Sequence, residues 1–166
     1  ISGSVEGLTS LSTLIVTGNN TISGSVTGLT SLNMLIVSGN NTISGSIAEL
    51  TSLTYINALG YNALLGDIGF KNMVNGISHF ILMGNNQMDT YTAGAALSNA
   101  QVTINPAAGY GYDSTEIDNI LIDMANSAGG PTGKTITLKG SSQPRTSASD
   151  AAVATLVGRG CTVITN

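Results

Sequence analysis

Charge is the scarcest commodity in this chain. Asp, Glu, Lys and Arg make up 8% of its 166 residues, and the net charge is −4. Five basic residues in all cannot form the stripe that neutralises a run of phosphates, so nucleic acid is not an expected partner, nor is an anionic membrane surface. No stretch approaches the ~18 consecutive apolar residues of a membrane span, and no Lys/Arg-led apolar segment reads as a signal peptide. Membrane insertion is therefore not expected. Cysteine occurs once, as Cys161, which excludes an internal disulfide and a cysteine-only metal site. Lack of disulfides fits the cytoplasm, and equally the exterior proteins of bacteria and viruses. Histidine also occurs once, at position 79, without a second His or Cys near it in the pattern, so no zinc site is expected.

What the chain has instead is repetition. Ile1 to Thr21 reads ISGSVEGLTSLSTLIVTGNNT, and residues 22–42 repeat it with changes only at Glu6/Thr27, Ser12/Asn33, Thr13/Met34 and Thr17/Ser38. A looser third copy occupies 43–63 in the same register. A fixed period in the twenties implies stacked units, each burying its apolar face only against its neighbours. The recurrent apolar positions are Leu8, Leu11, Leu14, Val16, Ile22 and Val26, then Leu29, Leu32, Leu35, Val37, Ile43 and Ile47, then Leu50, Leu53, Ile56, Ala58, Leu64 and Ile68. Leu14-Ile15-Val16 has the alternation of a short strand, with Leu14 and Val16 facing in and Thr13, Ile15 and Thr17 facing out. Gly18-Asn19-Asn20 and Gly39-Asn40-Asn41 follow as turns, whose Asn amides can serve backbone groups exposed at the bend.

The spacing LxxLxxLxVxxN, followed by a hydrophobe and glycine, resembles the leucine-rich repeat family. The departures are one extra residue between the Asn pair and Ile22, and Tyr61 in place of the first Asn of the third copy. The resemblance implies an α/β solenoid with a parallel sheet on one face, an irregular convex side in the N-terminal repeats and helices in the C-terminal ones. It implies almost nothing about function. At 166 residues the chain suffices for one continuous domain with a sizeable core. Short repeats are expected over 1–105 and longer, helix-containing repeats forming a closing cap over 106–166. The chain lacks an initiator Met and opens inside a repeat, which reads as a mature or excised piece of something longer. The tail from Gly140 to Asn166 is similar to the ends of leucine-rich-repeat proteins from bacterial surfaces and their phages, and that similarity carries no assigned chemistry.

Beyond Ala63 the repeat loosens. Val74, Ile77, Phe80 and Leu82 restart it as a fourth unit, a helical turn is expected at 93–97, and Val102-Thr103-Ile104 reads as a fifth strand. Asp113-Ser-Thr-Glu116 is a capping box ahead of Ile117, Ile120, Leu121 and Met124, which share one helical face. A further strand is expected at 135–138, a second helix over 148–157 that begins at the Ser147–Asp150 cap and ends at Gly158, and a last strand at 161–163.

Candidate sites are few. Asp113, Glu116, Asp118 and Asp123 cluster on and before a helix; capping and a solvated face account for them, with calcium the alternative. Gly133-Lys134-Thr135 echoes a phosphate loop, but the spacing fails and a strand follows rather than a helix. The Asn-x-Thr sequons at Asn19 and Asn40 are repeat grammar. Serines abound with no base to activate one, so neither an enzyme nor a cofactor is expected. The outward strand face is the informative feature. Aligning the units gives the columns Thr13, Met34, Tyr55, His79, Gln101, Thr135, Thr162, then Ile15, Ile36, Asn57, Ile81, Thr103, Thr137, Ile164, and then Thr17, Ser38, Leu59, Met83, Asn105, Lys139. Bulky apolar side chains there suggest a contact surface, although isoleucine also favours strands for its own sake. The expected binding residues are Met34, Ile36, Tyr55, Asn57, His79, Ile81 and Met83. The expected role is a non-enzymatic binding or adhesion module for a protein or glycan, at a cell surface, on a virion or otherwise outside the cell. The alternative is a structural subunit that assembles with copies of itself.

Overall fold

The computed structural model describes residues 2–39, 41–60, 63–67, 78–84, 87–94, 97 and 100–166. In chain order the first strands are β1 (Ser2–Ser4), β2 (Thr13–Val16), β3 (Thr21–Ser25), β4 (Met34–Val37), β5 (Thr42–Ser46) and β6 (Tyr55–Ala58). They are followed by β7 (Ala63–Asp67), β8 (His79–Gly84), β9 (Gln87–Thr90) and β10 (Gln101–Pro106). Helix α1 (Ser114–Asn126), β11 (Thr135–Leu138), α2 (Asp150–Gly158) and β12 (Thr162–Thr165) complete the α/β arrangement. Up to β9 the chain alternates between two parallel sheets, one ordered β12-β11-β10-β8-β6-β4-β2 and the other β1-β3-β5-β7-β9.

The second sheet replaces the irregular side expected in the N-terminal repeats. Strands β3 and β5 are the Thr-Ile-Ser-Gly-Ser segments and β1 is the Ser-Gly-Ser of the first copy, all too polar to announce themselves as strands. Each pairs in parallel with the copy in the next unit, and its inward residue joins the core: Ile43 and Leu64 are fully buried. The two sheets also differ in register. In the seven-stranded sheet, copies coincide: Leu14 lies beside Leu35, and Leu35 beside Ile56. In the five-stranded sheet Ser23 lies beside Ser4 rather than beside its own copy, Ser2. A slip of two residues preserves which face each side chain occupies, so the core pattern survives it. The slip brings Gly24 against the backbone of Val5 and Glu6, at a φ of 109°.

Both sheets contribute to a single apolar cluster. Leu29, Leu32, Leu50 and Leu53, on the connections between the sheets, are buried as the repeat pattern requires. Their equivalent in the first unit, Leu8, is 47% exposed. Ile68, Val74 and Ile77 lie outside the described residues, as does part of the turn expected at 93–97; Ala93 and Gly94 are not helical. The turn asparagines act as expected. Asn20 Nδ2 donates to the Thr17 carbonyl at 2.7 Å and Asn41 Nδ2 to that of Ser38 at 2.6 Å. Asn41 Oδ1 also accepts from the Ile22 N–H. Each amide thus replaces backbone partners lost at the bend.

Helix α1 begins with the expected capping box. Asp113 Oδ1 accepts from the Glu116 N–H at 2.8 Å, and Glu116 Oε2 accepts from the Asp113 N–H at 2.9 Å. Ile117, Ile120, Leu121 and Met124 are fully buried. Helix α2 follows a short 3-10 turn, Ser147–Ser149, which Thr146 caps; of the expected Ser147–Asp150 cap, Ser149 stands immediately before α2 and makes no side-chain capping bond. Its Leu156 is buried and Val153 packs against the core, while Val157 is 54% exposed. Cys161 is buried just ahead of β12, its thiol directed at the Pro131 carbonyl.

Candidate binding face on the seven-stranded sheet

Strand alternation decides what this face displays. In β4 and β6, Leu35, Val37, Ile56 and Ala58 turn into the core, leaving Met34, Ile36, Tyr55 and Asn57 on the other side. The register places the outward residues in rows across the sheet: Met34–Tyr55–His79–Gln101, Ile36–Asn57–Ile81–Thr103 and, in the third column, Met83 beside Asn105. All seven expected binding residues therefore belong to one surface. Met34, Ile36, Tyr55, Asn57, His79 and Ile81 are half-buried by one another, and Met83 is exposed. Ile15, in the same column as Ile36, is 57% exposed at the edge strand β2.

Two local features distinguish the centre of this face. The Tyr55 and His79 rings stack with centroids 5.0 Å apart and planes at 28°. Strands in a sheet lie ~4.8 Å apart, so a stacked pair on adjacent strands meets ring face to ring face and leaves the ring edges toward solvent. Beside it, Asn57 Oδ1 is buried and accepts no hydrogen bond. Its row neighbours are Ile36 and Ile81, neither of which has a side-chain donor.

Sequence reasoning missed the staircase that holds the starts of these strands. Asn33 Nδ2 donates to the Ser52 carbonyl, Thr54 Oγ1 donates to Asn33 Oδ1 at 3.2 Å, and Ser78 Oγ donates to the Thr54 carbonyl at 2.9 Å. The three residues immediately precede Met34, Tyr55 and His79. The available signal was Asn33, one of four positions at which the first two copies differ.

The acidic group on α1 is not a solvated face. Glu116 Oε1 accepts from the Tyr91 N–H, and Asp123 Oδ2 accepts from the Tyr91 hydroxyl at 2.6 Å and the Gly94 N–H at 2.7 Å. These contacts fasten the 91–94 segment to the helix. Asp118 is buried and accepts from the Thr146 N–H at 3.0 Å and from the Thr146 and Ser149 hydroxyls. Among the described residues no three His, Cys, Asp or Glu side chains converge as metal ligands.

Burial acts to raise the Asp118 carboxyl. The hydrogen bonds from Ser149 and Thr146, with the Arg145 charge, outweigh it and hold the group below its ordinary value. A folded-state value below the unfolded one means a contribution fully present above the unfolded value and lost as pH falls through the folded one. Asp118→Asn should therefore cost about 1–3 kcal/mol at neutral pH and soften the loss of Tm on acidification below pH ~4. Thermal melts of both proteins across that range check this. A variant melting like the wild type at pH 7 would mean that the buried carboxylate does not hold the 144–149 segment.

Comparison with known proteins adds no relative: no family profile, curated protein or solved structure matches the chain. Among the described residues no helix is long and apolar enough to cross a membrane.

Proposed function

We propose that the chain is a leucine-rich-repeat solenoid, with short repeats over 1–105 continuing into a helix-containing cap over 106–166, and that it works as a non-enzymatic binding or adhesion module. Its partner is a protein or a glycan, met outside the cell, at a cell surface or on a virion. The observation that carries the reading is the strand register, which gathers Met34, Ile36, Tyr55, His79, Ile81 and Met83 into one patch facing away from the core. Bulky side chains of this kind dominate the energy of a contact once a partner desolvates them, and a Tyr ring can bury its body while its hydroxyl finds a polar partner at the rim.

The test is a mixed array of glycans and extracellular proteins probed with the wild type, Tyr55→Ala, Ile81→Ser and Thr42→Ala. Thr42 is exposed on the other sheet. The first two variants should lose binding by about tenfold or more, equivalent to at least ~1.4 kcal/mol, with little change in Tm, and Thr42→Ala should bind normally. Normal binding by both patch variants would move the contact surface elsewhere.

The exposure of Ile15 and Met83 also favours a second reading, in which the face packs against copies of the same chain in a virion or appendage. Solution mass over a concentration series separates the two. A species that stays monomeric when concentrated supports the binding module, and a Tyr55-dependent assembly supports the structural subunit.

A further inference from the structure

We infer that the strand face takes a linear, uncharged polysaccharide lying across the strands, about one sugar unit per strand, with Asn57 as the residue that selects it. This rests on the binding-face reading above and narrows its partner to one class. The first argument is spacing. Successive strands offer equivalent outward positions ~4.8 Å apart, and the Tyr55 and His79 ring centroids on adjacent strands are 5.0 Å apart. That interval is close to the length of one pyranose unit in an extended chain, so a polymer crossing the sheet meets a side chain of the same column at each sugar.

The second argument is chemical. Along the first column the face runs from Met34 through Tyr55 and His79 to Gln101, and the column beside it runs from Ile36 through Asn57 to Ile81 and Thr103. None of these positions is a carboxylate, an ammonium or a guanidinium. Apolar surface interleaved with hydroxyls and amides matches a neutral sugar chain, whose C–H faces and hydroxyl rims alternate in the same way. Strand β6 is paired on both sides, with β4 and β8, so its backbone is not open to an added peptide strand and recognition falls to the side chains.

The third argument is Asn57 itself. A buried acceptor without a donor destabilises the fold that contains it, and the isoleucines on either side cannot supply one. A ligand hydroxyl can, once the amide turns toward it. The same residue should therefore weaken the free protein and strengthen the complex.

The experiment uses the single histidine as a reporter. The His79 ring signals are followed by NMR while uncharged β-1,4-linked gluco-, manno- and xylo-oligosaccharides, from disaccharide to hexasaccharide, are titrated to millimolar concentration. The His79 signals should shift for at least one series, with affinity rising as the chain lengthens. Asn57→Leu should raise Tm and weaken that binding by about tenfold or more, and Asn57→Val serves if the leucine variant does not fold. Shifts that are absent from every series, or independent of chain length, overturn the inference. So does a lower Tm with unchanged affinity in the Asn57 variants, because the amide would then be structural. Tyr55-dependent array signals confined to proteins defeat the polysaccharide while leaving the binding face standing. No Tyr55-dependent signal at all removes both.

Discussion

Leu35→Ala is expected to lower folding stability by about 2–5 kcal/mol. Leu35 is fully buried, and the sheet register sets it between Leu14 and Ile56, each of them also buried. Removing three carbons there forfeits burial and leaves a cavity that stacked strands close poorly, because each strand is held in register by neighbours on both sides. Thr13→Ala supplies the control. It lies one residue before Leu14 on β2, but on the outward, exposed face, and should cost well under ~1 kcal/mol. Chemical denaturation of the two variants is the measurement, and equal losses would contradict the assignment of inward and outward faces.

Gly39→Ala should be the most damaging of the alanine substitutions at the stacked turn glycines Gly18, Gly39 and Gly60. Gly39 has a φ of 79°, a backbone conformation that costs a side-chain-bearing residue about 1–2 kcal/mol. A Cβ at this position would also stand 2.2 Å from the Gly18 carbonyl oxygen, because the turn after β4 rests directly on the turn after β2. That contact is with backbone, which no rotamer change relieves. Gly18 separates the two effects: its φ is 75°, yet a Cβ there meets nothing within 4 Å. Gly60 is intermediate, with the Gly39 carbonyl oxygen at 3.2 Å. The expected order of lost Tm is therefore Gly39→Ala, then Gly60→Ala, then Gly18→Ala. Equal losses at Gly18 and Gly39 would show that backbone conformation alone matters and that the stacked turns separate easily.

The columns of the strand face were legible because, across β2, β4 and β6, the period of the text equals the register of the strands, and beyond them the apolar pattern restarts in the same alignment. Once Thr13 aligns with Met34 by sequence, it is beside Met34 in space, and the same holds through Tyr55 and His79. The five-stranded sheet broke that identity. Its strands slip by two residues per unit, and Ser, Thr and Gly supply most of them, so neither hydrophobic alternation nor copy alignment pointed to a sheet. The α1 carboxylates were read incompletely for a related reason. Glu116 caps the helix as expected, but its second contact, and those of Asp118 and Asp123, escaped notice because capping and helical spacing are local. Their partners, Tyr91, Gly94, Thr146 and Ser149, are 25 to 32 residues away along the chain.

By itself the amino-acid sequence determined the repeat length, the inward leucines, the outward columns and the α1 capping box, because each depends on spacing along the chain or on identical units meeting identical neighbours. Tertiary structure alone decided that a second parallel sheet lies opposite the first, that Tyr55 and His79 stack, and that Asn57 keeps a buried oxygen without a donor. It also decided that the acidic side chains act as struts. These outcomes depend on which groups from distant units come within hydrogen-bonding or van der Waals reach, and a local period does not specify that.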